Sequence, residues 1–318
     1  MLNRRHIRIK VMQALYSFWS SGTDKEEYQA ERDMMNSINK MYELYLFLLL
    51  FTKELCSLAE KYDSEVRDNN IPSAREINMH KNFYTNVLIE KLDSSELLEK
   101  ELKKYKLLWD SEDLSMLRKV FVNLKTSDVY KDFIYEKDPK EEQLFELFSF
   151  ILKHYTVNFS LVDQFLEDKF FNWLDDSKVA VQMAVKTFKN ILSDPENEVF
   201  LLPLSHDDDV SFSFAKDLFK ETVARKKENE ELIAAKIEKW EPSRIPLLDS
   251  IILQMGVTEF LFFANIPVKV TINECIELSK NYSTPNSKKF INGVLDNLLI
   301  DFEKEKRINK KGIGLIDK

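Results

Sequence analysis

The chain has 318 residues, 54 Asp and Glu against 46 Lys and Arg, and a formal net charge of −8. That length predicts about two domains with ample core, and 44% hydrophobic with 31% charged residues excludes a disordered chain. Five glycines, where average usage would give roughly 22, speak against Gly-rich phosphate loops, and a charge of −8 taken at face value speaks against nucleic acid.

From the N-terminus, Ile7, Val11, Leu15 and Phe18 mark one face of a helix over 4–19, which Gly22 closes. Gln13 interrupts its apolar run and no small-residue cleavage site follows, so it does not read as a signal peptide and a cytoplasmic chain is expected. The spacing then predicts helices over 36–61, 74–91, 95–107, 111–122, 140–153, 161–172 and 178–192, with Pro72, Pro139 and Pro195 between them. Within the first of these, Leu44–Thr52 is the most apolar stretch, too short to span a bilayer and expected to be buried. The acidic run His206–Asp209 reads as a solvated loop. Helices follow over 214–239, 243–265, 268–281 and 285–302, the last opened by Thr284 and Pro285 as N-cap and N1. A frayed tail is expected from Glu303 onward. Trp109, Trp173 and Trp240 each sit at a polar break ahead of a helical pattern, which is a weak sign of an internal repeat.

Catalytic chemistry finds little to work with. Two distant cysteines and four dispersed histidines offer no metal or nucleophile pattern, and the carboxylates fall on amphipathic faces. The expectation is a protein that is not an enzyme and uses no cofactor and no metal. The first helix is different: residues 1–22 carry Arg4, Arg5, Arg8 and Lys10 and no acid, against the preference of a helix N-terminus. Such cations suit a phosphate backbone, with His6 and Tyr16 nearby for base stacking; an exposed basic helix start is the alternative. A second cluster, Lys280, Tyr282, Lys288, Lys289 and Phe290, gains meaning only if the fold brings it to the first.

These residues are similar to the NusB family of transcription antitermination factors. The resemblance is carried by Arg5-His6-Ile7-Arg8 with Gln13-Ala14-Leu15-Tyr16, by Ile266-Pro267-Val268-Lys269-Val270-Thr271-Ile272-Asn273-Glu274 with Glu277-Leu278-Ser279-Lys280, and by Lys289-Phe290-Ile291-Asn292-Gly293-Val294-Leu295-Asp296. It implies an all-α fold, a NusB-like pair of small helical bundles, here with a large inserted helical domain. Its parts would be 1–22 as the first core helix, 23–210 as an acidic helical insertion, and 211–318 as the remaining core and a basic tail. The resemblance also implies a role: an RNA-binding antitermination adaptor that binds a boxA-like ribosomal RNA leader with the ribosomal protein NusE in the RNA polymerase antitermination complex. Carried over, Arg4, Arg5, Arg8, Tyr16, Tyr282, Lys289 and Phe290 would contact RNA, and Asp249 would face NusE. Gln254 and Thr258 replace an Arg and a Tyr of the partner-facing helix, and Gly293 is expected to permit close helix packing.

A helical scaffold that keeps this fold without RNA is the alternative. An rRNA methyltransferase, a third class, would need an α/β cofactor domain for which this chain shows no pattern. The charge divides to match the resemblance: residues 23–210 carry 24 Lys and Arg against 38 Asp and Glu, and the remainder 22 against 16.

Overall fold

The computed structural model describes residues 4–22, 26–69, 79–203, 208–237 and 245–311. Among them are helices and no strand. In chain order these are α1 (Arg4–Ser20), α2 (Glu27–Asn69), α3 (Lys81–Tyr84), α4 (Val87–Ser94), α5 (Glu96–Lys104), α6 (Ser111–Leu124), α7 (Asp128–Tyr135) and α8 (Glu141–Phe150). They continue with α9 (Ser160–Lys169), α10 (Trp173–Ser193), α11 (Asp208–Ala224), α12 (Lys226–Ala234), α13 (Leu247–Phe262), α14 (Val268–Tyr282) and α15 (Ser287–Lys304). None is long and apolar enough to cross a membrane.

Several boundaries differ from the periodicity, each for a local reason. α2 starts earlier than 36 because Ala30, Met34 and Ile38 extend the buried stripe that leads into Leu44–Thr52, all of it buried as expected. The single helix expected over 74–91 is α3 and α4, because Asn86 stops the first and caps the second, accepting from Leu88 N at 3.1 Å and Ile89 N at 3.2 Å; residues 74–78 lie outside the described residues. Helix α7 was not expected; Ser127 caps it and Tyr130 and Phe133 bury it. The helix expected over 140–153 is α8 followed by a π turn, Ile151–Tyr155. The pattern over 214–239 divides at Arg225 into α11 and α12. The start expected at Ser243 lies outside the described residues, where Pro72, Trp240, Gly312 and Gly314 also fall. Of the acidic run, Asp208 and Asp209 open α11, while His206 and Asp207 lie outside.

The chain divides into two compact units, one built from residues 39–203 and the other from 4–38 with 208–311. The second unit therefore takes in chain on both sides of the boundaries expected at 22 and 210. Those additions are acidic, so the span 2–38 with 205–318 holds 24 Lys and Arg against 24 Asp and Glu. The excess of cations belongs to the narrower boundaries alone.

In the second unit α13 is the central helix, packed by α1, α11, α12, α14 and α15. Its residues from Ile251 to Phe260 are all buried, as befits a helix apolar nearly all round. Gly256 admits the close approach: a Cβ there would stand 3.0 Å from Leu295 Cδ2 and 3.1 Å from Cys275 Sγ. Gly293 does not play that part, because a Cβ at Gly293 meets nothing within 4 Å. The tail is also better held than expected. Lys306 takes a left-handed φ of 56° at the end of α15, and Lys310 Nζ then donates to the carbonyls of Glu259 (2.7 Å) and Phe263 (2.8 Å). Lys311 N–H adds a bond to Ala264 O at 2.9 Å, so residues 306–311 close the C-terminal end of α13.

The first unit has its own central helix, α10, packed by α4, α8, the π turn and α9. The segment from α8 to α10 repeats the segment from α11 to α13. Without a gap, Leu147, Phe148, Ile151, Leu152, Tyr155, Val162, Leu166 and Phe170 match Phe214, Ala215, Leu218, Phe219, Thr222, Asn229, Ile233 and Ile237, and all sixteen are buried. Trp173 then matches Trp240. After five extra residues in the second copy, Val181-Gln182-Met183-Ala184-Val185-Lys186-Thr187-Phe188 matches Leu253-Gln254-Met255-Gly256-Val257-Thr258-Glu259-Phe260. Trp173 and Trp240 thus keep the offset of the buried positions in sequence, while Trp240 itself lies outside the described residues. Trp109 is not part of it; it stacks on Phe47 at 5.0 Å.

Candidate nucleic-acid interface

The first helix carries its cations on more than one face, and the fold uses them differently. Arg8 is 2% exposed. Its Nε and Nη2 donate to Glu259 Oε1 at 2.5 Å and Oε2 at 2.7 Å, and Thr271 Oγ1 donates to Oε2 at 2.9 Å. Burial works against the Arg8 charge, but the hydrogen bonds and charge of Glu259 outweigh it and hold the guanidinium above its ordinary pKa. Arg8 is therefore removed from the surface set: it ties α1 to α13 and does not reach solvent. Lys10 is buried as well. Arg5 stays half-exposed, forked onto Glu274 of α14 with Nε–Oε2 at 2.8 Å and Nη2–Oε1 at 2.9 Å; that hydrogen bonding raises its pKa. Arg4 is exposed, its guanidinium carbon 5.6 Å from the centroid of the Phe214 ring. Tyr16 is exposed too. It stands eleven residues from Arg5, about three helical turns and so on nearly the same face. His6, between these cations, is pushed down to about 4, first by burial and then by its charged neighbours.

The second cluster forms at the turn from α14 to α15. The expected N-cap at Thr284 is displaced, and α15 begins at Ser287. The cause is Asp249 of α13, which is 3% exposed and accepts from Ser283 Oγ at 2.5 Å and Ser287 Oγ at 2.7 Å. Drawing both hydroxyls onto one carboxylate turns the chain through 284–286 before the helix can start. Asp249, expected to face a protein partner, is thus engaged inside its own unit, as the support of this turn. Gln254 and Thr258 are likewise buried, Thr258 Oγ1 accepting from Asn229 Nδ2 of α12 at 3.0 Å.

Above Asp249 lies a groove of about 990 Å³. Ile237, Ile245, Phe290 and Val294 give it an apolar wall, with Lys289 and Asn286 among its polar lining and Gly293 leaving the wall open. Lys288 and Lys289 are exposed, and Phe290 and Tyr282 half-exposed. The fold does bring the two clusters to one helix. Arg5 bonds α14 at Glu274, and Tyr282 ends α14 eight residues later, about 12 Å along the axis. Lys289 and Phe290 follow across the turn. Helices α1, α14 and α15 thus carry cations, two tyrosines and a phenylalanine, the residue types that single-stranded nucleic acid requires. Among the described residues no three His, Cys, Asp or Glu side chains converge to hold a metal.

Glu259 and Glu274 also belong to the site, as the carboxylates that hold Arg8 and Arg5. The signal for Glu259 was present: a carboxylate inside the apolar run Ile251–Phe263 has to find a cation. Glu274 gave no such signal.

The sequence model of the NusB family matches residues 169–299, from the end of α9 into α15. "Transcription antitermination protein NusB" of Salinibacter ruber is 43% identical over 115 residues, which cover 36% of this chain and 71% of that protein. The protein of the same name from Chloroherpeton thalassium is 38% identical over 85 residues, 27% of this chain and 40% of that one. The Thermotoga maritima protein is 44% identical over 69 residues, 22% of this chain and 49% of that one. The solved structure of T. maritima NusB aligns with 54% of this chain and 99% of its own, at 24% identity and a TM-score of 0.30.

Proposed function

Since the chain belongs to the NusB family, we propose that it is an RNA-binding adaptor in transcription antitermination, which holds a boxA-like ribosomal RNA leader together with ribosomal protein NusE for the polymerase complex. Membership of a family whose relatives bear that name is the observation that carries this reading. The role is one of binding, carried out in the cytoplasm where transcripts form, and it asks for no chemistry from the chain. Arg4, Arg5 and Lys289 would meet phosphates, while Tyr16, Tyr282 and Phe290 would stack on bases. Asp249 would act at one remove, by keeping the α14–α15 turn in the shape that presents Lys289 and Phe290.

Filter binding of a boxA-like RNA, with and without NusE, tests the proposal. Binding should weaken as salt rises, because each phosphate contact releases counterions. Arg4→Ala with Lys289→Ala should weaken binding and flatten the salt dependence by about one unit of slope per lost contact. Tyr16→Ala or Phe290→Ala should cost about 1–3 kcal/mol of single-strand affinity at unchanged salt slope. The absence of salt-sensitive binding under both conditions would sink the RNA reading.

Two observations favour a scaffold without RNA: the fold engages Arg5 and Arg8 internally, and the charge of their unit is balanced. Capture of NusE by a protein that leaves boxA-like RNA unbound would decide for it.

A further inference from the structure

RNA binding by α1, α14 and α15 leaves the unit of residues 39–203 without a task. We propose that the turn between α9 and α10 is a docking knob for a protein partner whose apolar surface is bordered by lysine or arginine side chains. It does not depend on RNA binding.

At this turn Phe171 is 79% and Leu174 74% exposed, two large apolar side chains three residues apart. A single exposed apolar residue needs no explanation, but a fixed pair does. The pair is fixed. Trp173 between them is buried, its Nε1 donating to Asp163 Oδ1 at 2.7 Å and its backbone N–H to Phe170 O at 2.8 Å. Asn172 Nδ2 donates to Asp176 Oδ2 at 2.6 Å, and Asp176 N–H returns to Asn172 O at 3.0 Å. Phe171 and Leu174 are therefore presented on rigid backbone, so a partner pays little ordering entropy there.

The internal repeat offers a comparison of sequence within the same chain. With Trp173 matched to Trp240, Phe171 stands where the second copy has Glu238, and Leu174 where it has Glu241. The second copy thus has glutamates in its sequence at both positions, and Glu238 and Glu241 lie outside the described residues. Phe171 and Leu174 stay in water and give nothing to the core of their own unit, and a contact outside the chain accounts for them.

Charge selects the kind of partner. Exposed Glu167 and Asp168 close α9, and exposed Asp175 opens α10. Lys169, the cation among them, is paired within the unit: its Nζ lies 2.6 Å from Asp113 Oδ2 and 5.1 Å from the centroid of the Phe47 ring. Lys178, a turn beyond Leu174, is a cation at the far edge. An apolar pair bordered by carboxylates is complementary to an apolar surface bordered by cations, and it repels a second copy of itself.

The test uses the full-length chain and its Phe171→Glu/Leu174→Glu variant, which installs the residues of the other copy. The probe is an amphipathic helical peptide with a leucine face flanked by lysines; the same peptide flanked by glutamates is the control. Calorimetric titration should show the lysine peptide binding the native chain and about tenfold weaker binding to the variant, as for anchor residues, with no binding of the glutamate peptide. Equal thermal unfolding of both proteins shows that the variant is folded. Glu167→Gln/Asp168→Asn should keep binding but reduce its salt dependence. Three results overturn the proposal: equal binding to native chain and variant, binding of the glutamate peptide, or a dimer of the native chain in sedimentation that the variant loses, which would make a second copy the occupant.

Discussion

Arg8 and Glu259 are two full charges shut away from water, 251 positions apart in the chain. Taking either ion out of water costs several kcal/mol, which the forked geometry and the Thr271 hydroxyl offset. The repeat shows the same position solved without charge. Glu259 matches Thr187, and Thr187 Oγ1 bonds Tyr45 Oη of α2 at 2.7 Å, with Tyr45 also accepting from Leu202 N–H at 3.1 Å. A first helix and a central helix can thus be joined by either pair. Arg8→Ala should lower unfolding stability by about 3–5 kcal/mol because it strands a buried carboxylate, whereas Arg8→Met with Glu259→Leu should lose much less. Denaturant titrations of the two variants, read through their midpoints at a common slope, check this.

At the scale of elements, the two interior glycines of the α13–α15 region make opposite predictions. Gly256→Ala has to displace Leu295 or Cys275 and should destabilise by about 1–3 kcal/mol. Gly293→Ala meets open space in the middle of α15 and should stabilise by up to about 1 kcal/mol from helix propensity alone. Thermal midpoints moving in opposite directions would confirm the contrast; a loss at Gly293 would show that the groove wall is occupied. The glycine in the recognisable motif was thus not the one that packs, because sequence spacing records a face and not what lies opposite it. The same limit explains which helices were legible. α1, α13 and α14 declare themselves through buried stripes or an unbroken apolar run. By contrast, α7 rests on one serine cap and two aromatics, and the start of α15 is set by Asp249 from another helix. For the candidate site, the sequence named residue types well, but Arg4 and Arg8 are four apart and only their burial separates surface cation from core ion.

At the scale of the whole molecule, each unit contains a histidine held neutral. His6 in one and His80 in the other are both pushed down to about 4, first by burial and then by nearby cations. An ordinary histidine titrates near 6.5, so each folded unit binds its proton less readily than the unfolded chain does. Stability should therefore be complete above pH 6.5 and fall as the pH drops from there to about 4. Unfolding midpoints measured across that window should decline, and His80→Gln should reduce the decline where the unit of residues 39–203 is followed. The net charge of −8 no longer speaks against a nucleic-acid partner, since exposed surface meets RNA and the Debye length at physiological salt is about 8 Å.

The long separation of Arg8 from Glu259 has a consequence for the order of events during synthesis. α1 leaves the ribosome early, yet the helix that neutralises Arg8 and the segment that closes that helix, Lys310 and Lys311, follow only after residues 39–203 have emerged. Domains generally fold as they appear, so the inner unit is expected to form while α1 waits with its cations uncovered. Nascent chains arrested near residue 230 should show 39–203 resistant to protease and α1 still open. Until Glu259 arrives, the Arg8 guanidinium keeps its hydration, and it gives that up only when the last helices close over it.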